Sequence, residues 1–185
     1  IRKLNPHIDF DVTPGTKAEA DSALGIPTSL AFSSNGLRAY VTAFANGRIG
    51  VLNPLGGAAS TVLARVPCVA GPTQVVVDDS RGHLYVVGRF RGELQTLSSA
   101  DFRSVGVRAI GFDPSSDAIV NGRKFLYGGF TSSHGEQACA SCHIFGDSDH
   151  LGWDLGDPNG VYIPPPVGNP NGLQGFHPMK GPLVT

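Results

Sequence analysis

Cys139 and Cys142 stand on either side of Ala140-Ser141, and His143 follows the second cysteine directly. Each thiol of such a pair can add across one of two vinyl groups on the same edge of a haem, provided the sulfurs lie about one helical turn apart. The histidine that follows then lies beneath the ring plane and offers an imidazole nitrogen to iron. The Cys-x-x-Cys pair alone also suits a redox dithiol or half of a zinc site. A zinc site needs two further ligands at close spacing, and the third cysteine, Cys68, is distant. A thioredoxin-like dithiol needs a βαβ pattern nearby, which the sequence does not offer. The motif therefore points to one covalent c-type haem, with thioethers at Cys139 and Cys142 and His143 as the proximal ligand.

The sixth iron position has Met179 and His177 as its main candidates, with His134 or His150 as a further alternative. Met179 is the chain's single methionine and follows a loop rich in glycine and proline. A thioether there closes the iron at a raised potential, whereas His177, two residues earlier, would give a lower one. His134 and His150 flank the motif and are expected on the surface or near the haem propionates. Phe145 and Trp153, with Leu151 and Tyr162, are the expected haem-packing residues. Arg123, Lys124 and Lys180 are candidate propionate partners. Asp147, Asp149, Asp154 and Asp157 are acidic enough to hold calcium, but their spacing matches no EF-hand loop and favours a solvated turn.

These residues need elements to position them. From residue 25 a repeat appears: Pro27-Thr28 recurs as Pro72-Thr73, Tyr40-Val41 as Tyr85-Val86, Gly47 as Gly92, and Ile49 as Leu94, at one constant offset of 45 residues. Each unit reads as several apolar strands joined by turns, Ser34-Asn35-Gly36 in the first and Ser80-Arg81-Gly82 in the second. That period and strand content mark β-propeller blades. Two units and part of a third do not close a ring, so exposed edges that invite pairing with another chain are expected. Residues 1 to about 24 are polar; His7, Asp9 and Asp11 read as the exposed face of a strand rather than as ligands. After Gly111, the Asp113-Pro114-Ser115-Ser116 run caps an apolar pattern through Tyr127 that predicts a helix. A second short helix is expected from about Gly135 through His143.

Composition bounds the partners. With 14 basic and 15 acidic residues the charge is near balance, which gives no case for nucleic acid or an anionic membrane surface. No apolar run is long enough to span a bilayer. Glycine (25) and proline (14) are abundant while only 16% of residues are charged, favouring turns and short strands. The first residues lack an apolar signal core, and covalent haem is attached outside the bacterial cytoplasm. The chain is therefore read as processed or partial, and periplasmic or extracellular. Cys68, left without a thiol partner, is expected to be buried and inert.

The run from Ser132 through His143, then Trp153-Asp154-Leu155-Gly156-Asp157-Pro158, then Phe176-His177-Pro178-Met179-Lys180-Gly181-Pro182, together with the Tyr-Val repeats, resembles a known bacterial architecture. In it a propeller of Tyr-Val-Thr-Asn type precedes a module similar to dihaem cytochrome c peroxidases. The resemblance implies thioethers at Cys139 and Cys142, proximal ligation by His143, and a sixth ligand at Met179. The family carries a second Cys-x-x-Cys-His, and this chain holds one.

The expected fold is mixed: propeller-like all-β repeats over 1–111, then a small, mainly α and loop-rich cytochrome c domain over 112–185. The expected function is electron transfer through one covalent haem c to a redox partner protein or a further haem domain. The alternatives are a subunit or piece of a dihaem peroxidase-like oxidoreductase, and a structural cytochrome that self-associates through its β-edges into a haem array.

Overall fold

The computed structural model describes residues 3–12, 14–57, 61–141, 143, 152–154 and 182–184. The chain forms two compact units, Ile1–Ser141 and Cys142–Thr185. The first unit is mostly β: two four-stranded antiparallel sheets, each an up-and-down meander in chain order, the topology of a propeller blade. The first sheet comprises β1 (Pro27–Phe32), β2 (Ala39–Ala43), β3 (Arg48–Leu52) and β4 (Val62–Pro67). The second comprises β5 (Pro72–Asp78), β6 (His83–Gly88), β7 (Glu93–Ser98) and β8 (Ser104–Ala109).

The 45-residue offset persists into the hydrogen-bond register. Tyr40 lies opposite Val51, and Tyr85 lies opposite Thr96; Ala43 faces Arg48 as Gly88 faces Glu93. The connecting turns need a left-handed residue at the same place in each unit, and Gly47 (φ 59°) and Gly92 (φ 61°) supply it without Cβ strain. The sheets meet where β5 packs across β1 and β2. Period-2 alternation puts Tyr40, Ile49, Val51 and Val66 of the first sheet against Val75, Leu84, Val86 and Leu97 of the second, all buried. Polar ties cross the same seam. The Thr28 hydroxyl donates to Pro72 O (3.0 Å), and the Ser34 N–H donates to Asp79 Oδ2 (2.6 Å). On the far side of the second sheet Val76 is 59% exposed, and all six residues of β8 are exposed.

The first 24 residues do not form the expected strand. Past a series of turns they form α1 (Lys17–Ser22), because Thr16 and Glu19 make a reciprocal capping box. The Thr16 hydroxyl accepts from Glu19 N (3.2 Å), and Glu19 Oε2 accepts from Thr16 N (2.9 Å). His7 is structural: its Nε2–H donates to Glu19 O (3.2 Å), and its Nδ1 accepts from Arg65 Nη2 (3.1 Å). The predicted helix after Gly111 forms as α2 (Asp117–Tyr127), with Ser116 as its N-cap residue. It belongs to the first compact unit. The helix expected over 135–143 is reduced, among the described residues, to a 3-10 turn at Cys139–Ser141. Gly135 adopts φ 74°, and the Ser141 hydroxyl accepts the Ala138 N–H (3.1 Å), a side chain competing with helical backbone bonding. In the second unit, β9 (Gly152–Asp154) pairs antiparallel with β10 (Pro182–Val184).

The seam between the sheets carries the stability of the first unit. Leu84 is fully buried there, so Leu84→Ala is expected to destabilise by about 2–5 kcal/mol. Val76→Ala on the exposed face is expected to change stability by less than about 0.5 kcal/mol. Chemical denaturation of the two variants, followed by far-UV circular dichroism, checks the contrast.

Candidate functional site

The chain enters the Cys-x-x-Cys-His motif already tied to the first sheet. Asn46, in the turn after β2, accepts the Gly25 N–H at Oδ1 (2.6 Å) and donates from Nδ2 to Gly135 O (2.7 Å). A Cβ on Gly135 would run into the Ala20 backbone, so only glycine allows this approach. His134, expected on the surface or near the haem propionates, is buried. Its Nε2–H donates to Val12 O (2.9 Å) and its ring lies 5.1 Å from that of Phe10. It acts as a bolt between the N-terminal segment and the motif's approach.

Cys139 opens the 3-10 turn, which Ser141 closes by donating its N–H to Ala138 O (2.9 Å). Its thiol is exposed and free, and His143 is exposed. Those are the states that thioether formation and imidazole ligation require, so the described part of the motif fits a covalent haem. Cys142, Phe145, His177 and Met179 lie outside the described residues, as do His150, Leu151, Tyr162, Lys180, Asp147, Asp149 and Asp157. Trp153 lies on β9 opposite Leu183, and Asp154 opposite Pro182. Among the described residues no group of three or more His, Cys, Asp or Glu side chains is arranged to hold a metal ion.

The turn at Cys139 packs against α2, and α2 is fixed by two devices that the sequence reading did not anticipate. Arg123, a candidate propionate partner, is already engaged. Its Nη1 donates to Asp113 Oδ2 (2.5 Å) and Phe90 O (2.6 Å), and its Nη2 donates to the Ser115 hydroxyl (2.8 Å). The Arg123 guanidinium, helped by Ser115, holds the Asp113 carboxyl well below the usual carboxylate range. Tyr127 completes an aromatic triad with Phe44 and Phe90, its centroid 5.5 and 6.0 Å from theirs, while Phe44 and Phe90 lie 5.3 Å apart. Since Phe44 follows β2 and Phe90 follows β6, the triad joins α2 to turns of both sheets. Each such ring pair is worth about 0.5–1.5 kcal/mol beyond its area burial. The Asp113-x-Ser115 turn ahead of a helix was legible as a cap signal. The pairing of Asp113 with Arg123 was not, because it depends on where the helix lies.

Cys68, expected to be buried, is half-buried at the edge of the core. Burial pushes it up to about 12, against a small opposing pull from Arg48. Its Sγ–H points at Val69 O (3.6 Å).

No family model matches the chain, and no curated protein sequence matches it significantly. Solved structures similar to it include hydrazine synthase of Kuenenia stuttgartiensis, at 16% identity over 50% of this chain and 25% of that one, with a TM-score of 0.43. A periplasmic gluconolactonase of Pseudomonas aeruginosa is similar at 23% identity over 50% of this chain and 29% of that one, TM-score 0.43. A functionally unknown protein of Desulfotomaculum acetoxidans is similar at 21% identity over 49% and 30%, TM-score 0.41. The chain thus spans between a quarter and a third of the length of these structures.

Two outcomes follow, one from the two thiols and one from the Asp113–Arg123 pair. With a thiol pKa of about 12, only about one part in 10⁴ of Cys68 is thiolate at pH 8. In haem-free protein iodoacetamide should therefore modify Cys139 and leave Cys68 intact, as read by peptide mass mapping. The lowered Asp113 pKa means that its contribution to α2 is present above the unfolded aspartate pKa of about 3.9 and is lost as pH falls through the folded value. Asp113→Asn should lower the denaturation midpoint at pH 7, and the difference from the unmodified protein should shrink on titration below pH 4.

Proposed function

We propose that this chain is a c-type cytochrome segment that transfers electrons through one covalently bound haem, in the periplasm or outside the cell. The observation that supports the reading best is the exposed, unpaired Cys139 thiol on a turn fixed to a β-frame, opening a Cys-x-x-Cys-His sequence. Bound haem supplies a one-electron ferric/ferrous couple. The chain's own residues do the rest. Cys139 and Cys142 fasten the ring edge covalently, so the group is retained in a dilute compartment. His143 offers its imidazole from the motif's own side. Met179, or His177, would supply the second protein donor to the iron. A thioether donor raises the potential and an imidazole lowers it. Phe145 and Trp153 would shield the ring from water. A redox partner protein or a further haem domain takes the electron. Among the described residues no helix is long and apolar enough to cross a membrane.

Absorption spectra of protein matured with the cytochrome c apparatus test this. Expected are a covalent, low-spin haem with a weak far-red methionine-to-ferric band and no rapid response to cyanide. Cys139→Ala with Cys142→Ala should abolish covalent attachment, and His143→Ala should abolish the low-spin spectrum. A high-spin iron that binds cyanide at once would replace electron transfer by peroxidase-like chemistry at an open iron. Mature protein without covalent haem would sink the reading.

A further inference from the structure

The face of the first sheet turned away from the seam carries two arginines on neighbouring strands. Ile49 and Val51 of β3 point into the seam, so Arg48 and Gly50 point the other way, and Gly50 stands directly opposite Arg65 of β4. Arg65 has neutral partners, donating from Nη2 to Leu4 O and His7 Nδ1, each at 3.1 Å. Burial, and behind it the Arg48 charge, pulls the Arg65 guanidinium below its ordinary value. Arg48 is half-buried, its Nε is buried without a hydrogen-bond partner, and among the described residues it forms no ion pair. The repeat does not call for a cation here, because Glu93 holds the matching place in the second sheet. Two neighbouring cations with no carboxylate paired to either carry a desolvation cost that a bound anion would offset.

Arg48 lines a cavity of about 610 Å³ whose walls all belong to the first unit. Small-molecule sites commonly measure about 300–1,000 Å³. Asn46 and Ser133 share the lining with it. Asn46 uses one Nδ2 proton on Gly135 O and keeps the second, and the Ser133 hydroxyl accepts the Gly15 N–H and keeps its own proton. The Asp21 carboxylate, also in the lining, is held by Lys17 Nζ at 2.6 and 2.7 Å, which leaves Arg48 as the unpaired charge. Phe130, 61% exposed, supplies an aromatic wall. We propose that this cavity binds a small organic carboxylate with a flat apolar body. The Arg48 guanidinium meets the two carboxylate oxygens as a fork, Asn46 and Ser133 donate to them, and Phe130 covers the apolar body. A single unpaired cation suits a monoanion, whereas a phosphate dianion would keep one charge uncompensated. The site is independent of the haem reading, since no lining residue belongs to the Cys-x-x-Cys-His motif.

The experiment titrates benzoate into the full ¹⁵N-labelled chain at pH 8 and constant ionic strength, under reducing conditions so that no ferric iron takes the carboxylate. Benzamide serves as the neutral counterpart and inorganic phosphate as the dianion. The Arg48 Nε–H signal, assigned by its loss in Arg48→Gln, and the Asn46 side-chain amide signals are the readout. Expected are saturating shifts of both with benzoate, none with benzamide, and weaker binding of phosphate. Arg48→Gln, followed through Asn46, should weaken benzoate binding by about tenfold or more. Arg108→Gln, on the exposed strand β8, should leave it unchanged. Phe130→Ala changes an exposed side chain and should also weaken benzoate binding, which keeps the site testable if Arg48→Gln does not fold. Equal responses to benzoate and benzamide, tighter binding of phosphate than of benzoate, or benzoate binding unaltered by Arg48→Gln or by Phe130→Ala overturns the site. None of these results bears on covalent haem.

Discussion

The apolar seam between the two sheets is the constraint on which the first unit depends. Tyr40, Ile49, Val51 and Val66 close on Val75, Leu84, Val86 and Leu97, and these side chains come from strands spread over some sixty residues of chain. Each such burial contributes about 1.5–3 kcal/mol relative to exposure. Without the seam each meander would lose the packed face on which its neighbour rests. With it, the turns after β2 and β6 come to one side, and the groups they carry become fixed points. Asn46 reaches Gly25 and Gly135, and Phe44 and Phe90 meet Tyr127.

Those fixed points are why a thiol on a short turn can have a defined position. The approach to Cys139 is held by Asn46, by the buried His134 and by the close passage of Gly135 over Ala20. The helix beside it is held by Arg123 and Tyr127. The same amino acid then serves opposite ends in one unit. Cys68, desolvated beside the seam, stays protonated through the physiological range, while Cys139 stands exposed and ready for covalent chemistry. A cofactor fastened at such a point inherits the rigidity of the sheets rather than that of its own loop.

Much of this was readable without coordinates where the determinants are local or periodic. The 45-residue offset, the turn glycines Gly47 and Gly92, and the cap before α2 all fix backbone geometry over a few residues, and the register follows. The Thr16-x-x-Glu19 box was equally local, and reading residues 1–24 as a strand overlooked it. Among the described residues the helix expected over 135–143 is only a 3-10 turn, partly for a local reason, since Ser141 competes for the Ala138 N–H, and partly not, since Gly135 takes a left-handed φ where it passes Ala20.

The amino-acid order by itself determined the strand period and the blade-like meanders, because spacing along the chain dictates both. Only the tertiary structure decided which charged and aromatic residues were already engaged. Arg123 reads as a free cation in sequence and is bound to Asp113, Ser115 and Phe90 in space; His134 reads as a surface imidazole and is buried against Phe10. Likewise Ile119 and Phe125 of α2 fit the pattern of a core-facing helix, and in the structure they stay exposed while Arg123 and Tyr127 hold the helix. The physical reason is common to all three. Hydrogen-bond partners and burial depend on distances between segments far apart in the chain, and no local pattern encodes those distances.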